Sequence, residues 1–242
     1  MRGESVRQCL RPRLAHVLAG LLLAFASAPI AANDVAVPTP QAALVARDRT
    51  LIEATVAAMP APADEAPVLY VIGVAGDGTE DVFRNEVHFL ETAAAARLGA
   101  AARTLTLINH TDSLDTRPRP LATQANLRHA LQRVAARQRP DDLLLLYLTM
   151  HGADDHRLGV YWPPYVDETI TPKALRALLD DAGIGPRIVV VSACYAGGFV
   201  PALRAPDTLV ITAAAAIMAP ILPRRSTPGK PRPRGTRRWP SR

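Results

Sequence analysis

Asp142-Leu-Leu-Leu-Leu-Tyr-Leu-Thr-Met-His-Gly152 and Arg187-Ile-Val-Val-Val-Ser-Ala-Cys-Tyr-Ala-Gly-Gly198 decide the fold. Each begins as an unbroken apolar run, the pattern of a strand covered on both faces of a sheet. Each then ends abruptly in small and polar residues. Working outward, Val68–Val74, Arg103–Ile108 and Thr208–Thr212 repeat the apolar, β-branched pattern. Amphipathic helices alternate with these runs. Gln41–Met59 carries Leu44, Val45, Leu51, Ile52 and Val56 on one side, and Asp81–Leu98 carries Phe83, Val87, Leu90 and Ala94. Thr123 is placed to cap a helix whose Leu127, Ala130, Leu131 and Val134 follow helical spacing. Thr171-Pro172 opens another helix and Gly183 stops it. Asn109–Pro120 reads as a loop and Leu158–Trp162 as part of an excursion hairpin. Strands alternating with helices predict an α/β domain with a mostly parallel sheet and helices on both faces.

The 242 residues are 49% apolar and 21% charged, which excludes both a disordered chain and a multi-span membrane protein. The net charge of +6 suggests nucleic-acid binding until it is divided by region. Residues 1–33 hold +3 and residues 217–242 hold +8, so the body between them is acidic at −5. Arg2, Arg7, Arg11 and Arg13 precede the apolar run Leu14–Phe25, and the small residues Ser27-Ala-Pro-Ile-Ala-Ala32 follow it. This is the pattern of a secretory signal cleaved after Ala32. The expected location is the periplasm or outside the cell, and the only expected membrane contact is through that segment if it stays uncleaved. Cleavage removes Cys9 and leaves Cys194 as the one cysteine, without a disulfide partner. Residues 33–66 read as an N-terminal helix with linkers and 67–216 as the main domain. Residues 217–242, with six prolines and eight cations, read as a disordered basic tail.

In an open parallel α/β sheet, ligands gather beyond the carboxyl ends of the strands. His151-Gly152 follows one predicted strand and Cys194 follows another, so a thiol and an imidazole reach the same sheet edge. Nucleophilic acyl transfer needs that pair: the thiolate attacks, and the imidazole protonates the leaving group. Gly152 N–H and the backbone N–H of Cys194 are candidate oxyanion donors. Asp154, Asp155 and His156 could suggest a metal cluster but read better as a polar turn before the hairpin. No metal and no cofactor are expected. His88 and His129 are read as helix-surface residues.

A His-Gly after one apolar strand and an Ala-Cys after the next, with the histidine and cysteine 43 residues apart, resembles the legumain-type cysteine peptidases, the C13 family of the caspase-like fold. The likeness runs from about Pro67 to Ala215. It implies a three-layer caspase-like α/β domain and an endopeptidase that cleaves peptide bonds through a thioester. It also implies His151 as general base and acid, Cys194 as nucleophile, Gly152 and Cys194 as oxyanion donors, and Arg84 and Ser192 at the substrate pocket. Three departures stand beside it. Ser192 replaces the usual acidic residue before Ala-Cys. Val82 stands where the family keeps a histidine-orienting asparagine, which leaves that role to Asn85 or Asp77. The pocket segment after the last strand is unrecognisable beyond Ala216. A peptide or protein substrate is therefore expected, and nucleic acid is not. The rival readings are a truncated, inactive remnant of such an enzyme and, behind it, a basic-tail protein that binds anionic polymers.

Overall fold

The computed structural model describes residues 39–215. The expected leader and the expected basic tail beyond Ala216 lie outside the described residues. In chain order the regular elements are α1 (Pro40–Ala58), β1 (Leu69–Ala75), α2 (Asp81–Ala96), β2 (Thr104–Ile108), α3 (Gln124–Ala135), β3 (Leu143–Thr149), β4 (Leu158–Trp162), β5 (Val166–Ile170), α4 (Pro172–Ala182), β6 (Arg187–Ser192), α5 (Phe199–Leu203) and β7 (Thr208–Thr212). Local chemistry accounts for several of the helix ends. The Thr123 and Thr171 hydroxyls accept from the N–H groups of Asn126 and Ala174, which satisfies donors that the first turn leaves free. Gly183 closes α4 with φ 68°, a conformation that costs a glycine little.

Five strands form one parallel sheet in the order β2-β1-β3-β6-β7, and β4 and β5 make a separate antiparallel hairpin. Side chains alternate across β1. Tyr70, Ile72 and Val74 join the larger core with residues of α1, α3, α4 and α5, whereas Val71 and Ala75 face the α2 side with Val87 and Ala94. The result is a three-layer α/β domain with helices on both faces, as expected from the alternation of patterns. The predicted hairpin gains a second arm at β5. Its burial alternates buried, exposed, intermediate, exposed, buried, but the inward middle position is Glu168, so hydropathy does not show the alternation.

Two buried carboxylates tie the layers together. Asp142, fully buried at the foot of β3, accepts from the Val68 and Arg139 N–H groups at 2.9 and 2.8 Å and pairs with the Arg139 guanidinium. Burial alone would raise its carboxyl, but these donors more than offset burial and hold it at about 2. Asp48 of α1 accepts from Leu121 N–H and Asn126 Nδ2 at 3.0 and 2.8 Å, and burial pushes its carboxyl up despite them. With Ile52 and Val56 also buried, α1 is packed into the body of the domain. That packing corrects the expectation for His129. Its side chain is only 18% exposed and meets Glu53 of α1 at 2.8 Å, because α1 lies across α3 there.

Candidate active site

Strand register sets the site. Thr149 of β3 pairs with Ser192 of β6, and His151 and Cys194 each stand two residues further on. Parallel strands in register therefore bring both groups to the same height above the sheet. Both line one cleft of about 380 Å³, together with Glu80, Val82, Phe83, Glu86, Thr149, Met150, Ser192, Ala193, Ala213 and Ala214. Cys194 is exposed, as a nucleophile must be.

The histidine is oriented by α2 and the turn before it. His151 Nε2 lies 2.8 Å from Glu80 Oε1, and the ring stands edge-on to Phe83 with centroids 5.0 Å apart. With Nε2 held by a carboxylate, Nδ1 is the ring nitrogen without a partner among the described residues. Neither residue suggested for this role fills it. The Asp77 carboxylate accepts from the Thr79 N–H and hydroxyl, and Asn85 lines a neighbouring depression.

Gly152 and Cys194 meet directly. The hairpin bonds Gly159 N–H to the His151 carbonyl and Ala153 N–H to the Arg157 carbonyl, both at 2.9 Å. Gly152 therefore faces Leu158 as a non-hydrogen-bonded pair, and its own N–H turns away from the hairpin. Among the described residues, neither the Gly152 nor the Cys194 N–H has an acceptor. A Cβ on Gly152 would lie 2.0 Å from the Cys194 carbonyl oxygen, so only glycine permits this approach. The turn after the cysteine is held from the same hairpin. Tyr195 adopts φ 55°, and its carbonyl accepts from His156 Nδ1 at 3.0 Å. The His156 ring lies over Gly198, where a Cβ would sit 2.2 Å from Cγ. His156 thus braces the cysteine turn. Asp155 instead pairs with Arg157, and among the described residues no three metal-ligating side chains are arranged to hold a metal ion.

The remaining predicted residues divide. Ser192 lines the cleft, with Oγ 3.4 Å from Glu86 Oε2. Arg84 does not line it. Its guanidinium binds Asp112 at 2.6 Å and Asp81 at 3.3 Å, and that bond lowers the Asp112 carboxyl. Glu86 is a cleft residue that the sequence motifs did not single out. Its Oε2 accepts from Tyr147, Thr149 and Ser192 at 2.7, 2.6 and 3.4 Å. Burial, and after it the bond to Glu86, push the Tyr147 hydroxyl up. The available signal was a charge at position 86 beside the apolar stripe of Phe83, Val87 and Leu90. Beside the cleft lies a larger, mostly apolar depression of about 680 Å³ between α2 and β3, which contains neither His151 nor Cys194.

The sequence model of the peptidase C13 family matches residues 123–218, from the start of α3 past β7, and so includes both His151 and Cys194. This segment is similar to the peptidase C13 family. The match supports a hydrolase of the cysteine-peptidase kind, of the legumain sort, and such an enzyme would act on a peptide or protein. No curated protein was found to match the chain. The matched C13 segment supplies the histidine, the cysteine and both oxyanion candidates, whereas Glu80 and Glu86 come from the part of the domain that precedes it.

Proposed function

We propose that this C13 protein is an exported endopeptidase that works through a His151–Cys194 dyad. The observation that carries the reading is the shared register of Thr149 and Ser192, which sets imidazole and thiol at the mouth of one cleft. The Cys194 proton passes to His151 Nδ1 as sulfur attacks the substrate carbonyl carbon. The resulting oxyanion accepts from the Gly152 and Cys194 N–H groups. His151 then returns the proton to the departing amine as the C–N bond breaks, leaving a thioester. Water, deprotonated by the same imidazole, adds to the thioester and releases the carboxylic acid and the thiol. Glu80 stabilises the imidazolium formed in both halves and fixes the ring plane. Ser192 contributes to the substrate wall. Export rests on the basic and apolar leader, and N-terminal sequencing of protein recovered from the periplasm should begin at Asn33.

The test is fluorogenic peptide turnover and thiol-probe labelling by the purified protein. Cys194→Ala should abolish both, and His151→Ala should slow both by at least about 1,000-fold. Turnover that persists in Cys194→Ala would refute the dyad.

A further inference from the structure

Glu86 stands between the cleft and the neighbouring apolar depression, with one carboxylate oxygen immobilised and the other unpartnered among the described residues, and that is the form of a specificity determinant. Its Oε2 takes hydroxyls from two strands, Tyr147 and Thr149 on β3 and Ser192 on β6. Oε1 has no partner among the described residues, and Glu86 lines the same cleft as Cys194. The other carboxylate there, Glu80, is engaged with His151. Among the described residues no lysine or arginine lines the cleft, and Arg84 is held by Asp112 outside it.

We infer that Glu86 selects a cationic side chain, lysine or arginine, on the residue whose carbonyl Cys194 attacks. This rests on the dyad reading and extends it. Charge sets the sign: a substrate carboxylate would meet Glu86 unneutralised, whereas an ammonium or guanidinium pairs with it, the guanidinium in a two-bond fork. Distance sets the length. Glu86 touches Ser192, two residues down from Cys194, an interval of about 6–7 Å along an extended chain. An amide one carbon from the substrate backbone falls short of that depth. An ammonium on a four-carbon stem reaches it, with the stem lying along Val82 and Phe83.

The test uses irreversible peptidyl ketone probes that differ only in the residue beside the reactive carbon: lysine, leucine, asparagine or aspartate. The purified full-length protein should be inactivated by the lysine probe about 100-fold faster than by the leucine or asparagine probe, and most slowly by the aspartate probe. In Glu86→Gln, whose amide oxygen still accepts from the three hydroxyls, the lysine-to-leucine ratio should collapse to within about threefold of unity. A wild-type protein that reacts as fast with the asparagine probe overturns the inference without any variant. A Glu86→Gln protein in which every probe slows equally overturns it as well, since that is the signature of a structural role. Failure of all four probes and of iodoacetamide to label Cys194 overturns the dyad reading, and this inference with it.

Discussion

Replacing Gly152 with alanine puts a carbon 2.0 Å from the Cys194 carbonyl oxygen and 3.0 Å from the Cys194 carbonyl carbon. Ordinary contact begins near 3.4 Å, so the two loops must separate by more than about 1 Å. The atoms that move are backbone atoms of Cys194, the proposed nucleophile. One carbon forced into a packed contact costs about 1–3 kcal/mol of stability. The catalytic effect is larger than that strain suggests. A displacement of about 1 Å costs on the order of 100-fold in rate, and loss of one oxyanion donor costs about 100- to 1,000-fold. Gly152→Ala should therefore lower kcat/KM by at least about 100-fold, or roughly 2.7 kcal/mol of transition-state stabilisation. The control is Gly159→Ala on the same hairpin, whose Cβ would meet nothing nearer than 3.9 Å and which should keep activity within about threefold. The assay pairs kcat/KM on a fluorogenic peptide with thermal unfolding of each variant. A folded Gly152→Ala protein with more than a third of wild-type activity would refute the close approach and the oxyanion role together.

Three other outcomes follow from the same geometry. Glu80→Gln should cut kcat about tenfold with little change in KM and no measurable shift in Tm, because exposed ion pairs contribute about 0–1 kcal/mol; an unchanged kcat would remove Glu80 as a positioning residue. His156→Ala should lower kcat/KM about tenfold by freeing the Tyr195 carbonyl, and His156→Asn, which keeps a donor and tolerates positive φ, should restore most of it. Asp142 is held at about 2 in the folded protein, below its ordinary 3.8, so its carboxylate stabilises the fold above about pH 4, and that contribution drains away as pH falls toward 2. Urea unfolding of Asp142→Asn should show a loss of about 2–4 kcal/mol at pH 7 that shrinks below pH 4, and a loss independent of pH would contradict the linkage.

Much of the fold was legible because it depends on short-range chemistry. The apolar runs at Arg187–Ser192 and Thr208–Thr212 became strands at those same limits, and the Thr123 and Thr171 caps start α3 and α4. The five-residue α5 was not legible. Burial of Phe199 and Leu203 against the larger core supports it, and no helical periodicity can show in so short a span. The surroundings of His129 were not legible for a related reason. Its position on α3 is fixed locally, but the packing of α1 across it is not.

By itself the sequence determined that two strands end in His151-Gly152 and Cys194, and that Gly152 and the pair Gly197-Gly198 follow them. Hydrogen bonding and alternation fix those features within a few residues. Only the tertiary structure decided which carboxylates serve the site. Glu80 and Glu86 stand on or next to α2, more than 60 residues before either reactive group. They reach the cleft because Phe83 and Val87 seat that helix on the sheet. Packing of that kind depends on the summed burial of a whole helix face, which no motif records.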